Sequence, residues 1–405
     1  MYEFITNLNE KEYEDFVFNN QKSHFMQSYD WGKIQKEKNF KPYYVGLKKE
    51  NVLVATALIL EKKVIKNIGY MYSPRGFILD YNDSEILNKF VSYLKKFTRQ
   101  HKNMFLRIDP DLNINSNKKI IDNLRKLGFK HKGFNKNFEN NQPRYTFRLN
   151  IDKNIDEIYK DFHPTTRKIL NKGNQYNLNI YKGTIKDIDD FYLTMEETAQ
   201  RENIIPSKKE YYRKFYQILN QNGNSDIYVV KVNISKLKEK YKELINETTL
   251  EIDKINNQEQ KNIKKSQNMI NSLNTKLEKM NKEIEEINQI KEKEIVLSSI
   301  VTAKYNDKVW TVHGGNHNKL RWLNANYLLY YEIIKDANKE GYKIIDFFGT
   351  TGDPNPNNPI YGIHLFKERL GGTYTEFIGE FDFINMKLLY FLYNKYTKYK
   401  KKRKN

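Results

Sequence analysis

The chain has 405 residues and a mass of 48.7 kDa, too long for one ordinary hydrophobic core and suited to two or three domains. Hydrophobic residues at 39% and aromatics at 14% support packed cores and exclude a disordered chain, while 70 Lys and Arg against 50 Asp and Glu leave a net charge of +20 that suits acidic or phosphate-bearing partners. Cysteine is absent, which excludes disulfide frameworks, thiolate nucleophiles and Cys-ligated metals, and with no apolar leader and no membrane-length apolar run the expected address is the cytosol.

The first strands expected are at 43–47 and 52–60, a hairpin turning through residues 48–51, with aromatic-rich helical segments before it. A helical pattern over 86–101 leads to a strand at 104–108 and then Asp109, and a helix over 121–127 ends at Gly128. Residues 226–232 and 295–305 are again β-branched and strand-like, but their turn is replaced by 235–294, which has no Gly, no Pro and a single aromatic. Within it Ile270, Leu273, Leu277, Met280, Ile284 and Ile287 recur at alternating steps of three and four, the seam of a coiled coil. Ile234, Tyr241, Ile245, Thr248, Ile252 and Ile255 follow a looser form of that rule, so the segment reads as two antiparallel helical arms with a polar tip over 256–265. It is close to neutral, and nearly all the excess positive charge belongs to the rest of the chain. Downstream, a helical pattern over 327–340 leads to a strand at 342–345 and then Asp346, and a helix over 363–370 ends at Gly371. The stretch 395–404 carries seven positive charges and no negative one, either a disordered solubilising tail or a run that meets phosphate-rich partners or an anionic membrane surface.

The order helices, hairpin, helix, strand, helix, strand thus occurs twice and implies two α/β domains of one topology. The expected organisation is a first domain over 1–149, a second over 150–234 and 295–384, the helical insertion at 235–294, and a C-terminal helix with basic tail at 385–405.

Short motifs lie along both halves: S-H-F-M-Q-S-Y-D-W-G-K at 23–33, Y-S-P-R-G-F-I-L-D at 72–80, L-R-I-D-P-D at 106–111, E-E-T-A-Q-R-E-N around Arg201, H-G-G from His313, D-F-F-G-T-T-G-D from Asp346, Y-G-I-H-L-F-K at 361–367 and E-F-I-G-E-F-D from Glu376. In their order, and with the helical insertion, the sequence resembles the Fem-type peptidoglycan-branching aminoacyltransferases (FemABX) over almost its whole length. The resemblance implies an α/β (α+β) fold of two tandem acetyltransferase-like (GNAT) domains with an antiparallel coiled-coil hairpin inserted in the second. It also implies an acyltransferase that moves Gly, Ala or Ser from aminoacyl-tRNA to the side-chain amine of residue three of the stem peptide on a peptidoglycan precursor. The insertion favours lipid II over the soluble UDP-linked muropeptide, and with it peripheral contact at the inner face of the membrane.

On this resemblance Lys367 stabilises the developing oxyanion and the Phe366 carbonyl holds the incoming amine, against the alternative of an exposed helix cation. Asp109 corresponds to a carboxylate that binds or deprotonates the acceptor amine; before Pro110 it reads equally as a strand-end cap. Lys33, with Lys36 close enough to take its place, matches the residue that pairs with the precursor's phosphates. A second phosphate-binding cation in the family falls here on Ser207, leaving Lys208 or Arg201 to substitute. Tyr211 matches a precursor-contacting tyrosine, His313 an aromatic lining of the same site or a core histidine, and Arg75 a phosphate contact or a loop tie. Tyr361, which opens Y-G-I-H-L-F-K, is grouped with the substrate-binding residues.

Aminolysis of an ester needs an oxyanion stabiliser and a route for the amine's proton, but no protein nucleophile. No metal and no cofactor is expected, with aminoacyl-tRNA as co-substrate. The chain lacks G-x-S-x-G, H-E-x-x-H and G-x-x-x-x-G-K-[ST] spacings, and the Q-R-x-x-G-x-G/A loop of acetyl-CoA users is not evident, so acetyl transfer is not expected. Competing readings are a tRNA- or RNA-binding protein without transferase activity, suggested by the basic charge, and a coiled-coil scaffold.

Overall fold

The structure, a computed structural model, describes residues 1–137, 141–257 and 263–402. It is a mixed α/β fold on two seven-stranded sheets. In the first, Tyr2–Ile5, Lys41–Lys49, Val52–Ile65 and Ile68–Arg75 form an antiparallel ladder, and Ile68–Arg75 then pairs in parallel with Asn103–Pro110. In the second, Asn179–Gly183, Ile227–Asn233, Glu294–Tyr305 and Lys308–Asn316 repeat the ladder, and Lys308–Asn316 pairs in parallel with Ile344–Thr350. A parallel pair needs a crossover, which helices Ser84–Gln100 and Ala325–Lys339 supply. Each buries one apolar stripe: Leu87, Phe90, Val91, Leu94 and Phe97 in the first, Leu328, Leu329, Ile333, Ile334 and Ala337 in the second.

The halves exchange a strand. Tyr145–Asn150 lies in the second sheet between Ile344–Thr350 and Thr373–Glu376, while Phe381–Ile384 lies in the first between Asn103–Pro110 and Phe129–His131. The sheets therefore do not divide at residues 149–150 and 384–385. Y-T-F-R-L-N and F-D-F-I alternate as strands should, but a period of two carries no mark of which sheet a strand joins. The exchange is fixed by charge as well as by ladder bonds: Arg107 Nε and Nη2 donate to fully buried Asp382 at 2.7 and 2.8 Å.

Residues 235–294 contain two helices, Ile234–Asn257 and Ile263–Asn288, that lie against each other. Leu237, Tyr241, Met280 and Ile287 join the second sheet's core, and the Tyr241 hydroxyl donates to Glu283 at 3.0 Å. Residues 258–262, the centre of the expected polar tip, lie outside the described residues. The basic stretch expected as a tail belongs, through Lys402, to a helix, Lys387–Lys402. Among the described residues no helix is long and apolar enough to cross a membrane.

Candidate active site

The parallel pair ends differently in the two sheets. In the first, pairing runs from Gly69 opposite Asn103 to Arg75 opposite Pro110. In the second it covers Lys308–Trp310 against Ile344–Asp346 and stops there. The cause is local: Phe348 has φ of 62°, the register against Tyr145–Asn150 shifts between Asp346 and Gly349, and Asp346 Oδ1 accepts the Phe348 N–H at 2.8 Å. Helix Tyr361–Arg369 sends Lys367 to the strand beyond this break, where Nζ donates to the carbonyls of Phe348 and Gly349 at 3.2 and 2.5 Å.

Beside these carbonyls the halves are tied by charge. Arg148, on the exchanged strand, donates from Nε to Asp346 at 2.8 Å and from Nη2 to both Asp111 oxygens at 2.9 and 2.7 Å. Against the upward push of burial, the Arg148 guanidinium holds the Asp111 carboxyl well below the usual carboxylate range. His24 Nδ1 accepts the Met26 N–H at 3.0 Å, so the proton of the neutral ring sits on Nε2, 4.0 Å from Asp111, and burial keeps that ring neutral. His24, Arg75, Thr146, Arg148, Phe348 and Gly349 wall a narrow pocket.

Asp109 stands behind one wall of this pocket. Its Oδ1 accepts the Arg75 N–H at 2.7 Å and its Oδ2 the Tyr72 hydroxyl at 2.8 Å. Burial pushes its pKa up to about 7, with the Arg75 charge opposing and Glu380 reinforcing the rise. Burial also brings the Lys367 ammonium down to about 7, Asp346 pulling the other way. A carboxyl and an amine at one seam thus both change protonation near neutral pH, the range in which a group can both take and hold a proton during acyl transfer.

Lys367 is 7% exposed, which removes the exposed-cation alternative. Phe366 packs between Tyr327 and Tyr330, ring centroids 4.7 and 4.9 Å away, and lines an open pocket with His317, Lys319, Arg321 and Asn324. It lies in the last turn of its helix. Arg75 ties a loop: Nη2 donates to the Pro143 carbonyl at 2.7 Å and the guanidinium lies 4.4 Å from the Phe377 ring centroid. Tyr361 opens the Lys367 helix, its ring stacked over His364 at 6.4 Å.

The remaining expected residues lie apart from this seam. Lys33 Nζ is held by Glu10 at 2.8 Å and Asp30 at 3.0 Å, and Lys36 is exposed in the last turn of helix Tyr29–Lys36. The cation that meets Tyr211 is Lys38, 3.7 Å from the ring centroid, because the chain turns after that helix and lays Lys38 on helix Lys209–Asn220. Lys208 is exposed at the start of the same helix. His313 has ring neighbours Tyr212 and Phe215 at 5.1 and 5.2 Å; burial, with Lys38 adding, lowers its pKa to about 3, and its Nε2 has no hydrogen-bond partner among the described residues. Arg201 binds Asn318 Oδ1, the Asn316 carbonyl and Thr198 Oγ1, tying the loop beside the larger pocket.

Arg148, His24, Asp111, Asp346 and Lys38 were not among the expected site residues. Arg148 left a signal, since a lone charge in the strand pattern Y-T-F-R-L-N requires a buried partner. Among the described residues, no group of three or more His, Asp or Glu is placed to hold a metal.

The model of the FemAB family matches residues 8–398. A lipid II:glycine glycyltransferase of Staphylococcus aureus (strain MRSA252) is 29% identical over 397 residues, which cover 95% of this chain and 93% of that protein. A lipid II:glycine glycyltransferase of Staphylococcus epidermidis is 27% identical over 397 residues, covering 96% and 94%. The crystal structure of FemX superposes with a TM-score of 0.77 at 28% identity, covering 96% of this chain and 99% of that one.

Proposed function

We infer the function from one premise, that this chain belongs to the FemAB family: it is an acyltransferase of peptidoglycan bridge synthesis that moves an amino acid from aminoacyl-tRNA to the side-chain amine of residue three of the stem peptide on lipid II. Glycine is the first donor to test, because the full-length relatives carry that amino acid in their names. In this reading the two sheets belong to tandem GNAT-like domains that have exchanged a strand, and helices Ile234–Asn257 and Ile263–Asn288 form a coiled-coil arm. The enzyme works in the cytoplasm at the inner face of the membrane, and needs no cofactor.

The observation that supports the reading is that Arg75, whose N–H binds Asp109, and Phe348 and Gly349, whose carbonyls hold Lys367, line one pocket. Asp109 as carboxylate accepts a proton from the acceptor ammonium; the freed amine attacks the ester carbonyl carbon; the Lys367 ammonium faces the oxyanion that forms. As the tetrahedral species collapses, the ester C–O bond breaks, the proton that the attacking nitrogen sheds passes to the departing tRNA oxygen, and an amide remains. The Phe366 carbonyl orients the amine, and the pocket with Lys319 and Arg321 takes the donor's phosphate-bearing end. Lys38, exposed beside Tyr211, and Lys36, exposed in the last turn of helix Tyr29–Lys36, are better suited to the precursor's phosphates than Lys33, whose ammonium two carboxylates already hold.

The test is transfer of radiolabel from Gly-, Ala- and Ser-tRNA to lipid II and to its soluble UDP-linked counterpart. Label in lipid II from one donor supports the reading and names the amino acid. No transfer to either precursor, with tRNA still bound at low salt, favours the RNA-binding alternative.

A further inference from the structure

The C-terminal helix Lys387–Lys402 is amphipathic in an unusual sense: one face packs on the body and the opposite face is also apolar. Leu389, Tyr390 and Tyr393 point inward, onto Met104 and Phe105 of the first sheet. On the other side Leu388, Phe391, Leu392, Tyr396 and Tyr399 are 50% to 71% exposed, at the spacing that sets them on one helix face. Lys387, Lys395 and Lys398 are exposed around them, with Lys395 Nζ 5.3 Å from the Phe391 ring centroid. From Asn385 to Asn405 the sequence has eight Lys or Arg and no Asp or Glu. On the hairpin whose Ile68 packs in the same small cluster, Val64 and Ile65 are also exposed, between Lys63 and Lys66.

We propose that this face docks on an anionic lipid bilayer, with the Leu and aromatic side chains seated at the headgroup–acyl boundary and the lysines against lipid phosphates. Charge decides the occupant. A second copy of the chain would set the same lysines against each other, and a nucleic acid would satisfy the lysines while leaving Leu388 and Leu392 in water. The proposal rests on the lipid II reading only for its purpose, which is to hold the seam near a lipid-linked acceptor; binding to vesicles needs no transfer activity, so each can fail without the other.

The test is flotation of the full chain with vesicles of phosphatidylcholine alone and of phosphatidylcholine with phosphatidylglycerol. Wild type is expected to float with the phosphatidylglycerol vesicles, less so as salt rises. Leu388→Ser with Phe391→Ser should reduce flotation to background, and Lys395→Gln with Lys398→Gln should weaken it roughly thirtyfold. Both variants change exposed positions, and unchanged melting curves would confirm that they fold. Failure of wild type to float, equal flotation with both vesicle types, loss of tRNA binding in the lysine variant, or a dimer in light scattering that Phe391→Ser dissociates would each overturn the proposal.

Discussion

The two halves of this chain build the same ladder and end it differently. Where Ile68–Arg75 meets Asn103–Pro110, pairing continues to the last residue, and Asp109 accepts a backbone N–H from Arg75 and the Tyr72 hydroxyl. Where Lys308–Asn316 meets Ile344–Thr350, pairing stops at Asp346, the third residue of its strand, which receives the Arg148 guanidinium and the Thr146 hydroxyl. The closed end thus makes a carboxyl that protonates near neutrality, and the open end makes a structural carboxylate plus room for Lys367. A repeated topology does not require repeated chemistry; one early strand separation divides the roles.

The strongest challenge to this comparison is to separate the halves. A fragment of residues 1–150 lacks Phe381–Ile384, which joins Asn103–Pro110 to Phe129–His131, and leaves Arg107 without Asp382. It should show no cooperative thermal transition by circular dichroism. Next come the two aspartates. Asp109→Asn should reduce transfer by about 10² to 10⁴-fold, the range of general acid–base catalysis. Its stability should not fall at pH 8: a carboxyl whose pKa is raised on folding stabilises the native state below its unfolded pKa and loses that contribution as pH climbs through about 7, so the amide removes a penalty. Lys367→Met should cost about 10² to 10³-fold in transfer while tRNA affinity, measured by filter binding, is unchanged.

The seam itself is tested by Arg148→Met, which leaves Asp111 and Asp346 buried without their cation and should cost about 3 to 5 kcal/mol in denaturant unfolding. The smallest effect belongs to Lys33→Ala. Its pair with exposed Glu10 is worth about 1 kcal/mol or less, the buried Asp30 keeps the Asn222 amide as a donor at 2.9 Å, and transfer should change little, in contrast to Lys38→Ala, which should raise KM for the precursor.

Much of the ladder was legible because its signals are local. Val52–Leu60 is an almost unbroken apolar run rich in β-branched residues, 84–100 carries an apolar stripe, and the repeat of strand-then-aspartate pointed to Asp109 and Asp346, although Asp109 is the penultimate residue of its strand and Asp346 the third of its own. The strand exchange was not, since pairing partners are chosen by surfaces far apart in sequence and Tyr145–Asn150 would alternate identically in either sheet. At the site, Lys367 was readable from its motif, but its burial comes from Phe348 adopting a positive φ, which no residue type there announces. Lys33 looked like the phosphate cation by position; only the folded chain brings Glu10, distant in sequence, onto it and turns Lys38 toward Tyr211.

The division of roles between the closed and the open end is tested most directly by the pH dependence of single-turnover transfer in wild type, Asp109→Asn and Lys367→Arg. A base that must be ionised makes the rate rise through its pKa, and a cation that must be protonated makes it fall above its own; with both near 7, wild type should show a narrow bell centred there. Asp109→Asn should lose the acid limb, and Lys367→Arg should move the alkaline limb above the accessible range. An acid limb that persists unchanged in Asp109→Asn would contradict the assignment of the proton to the closed end.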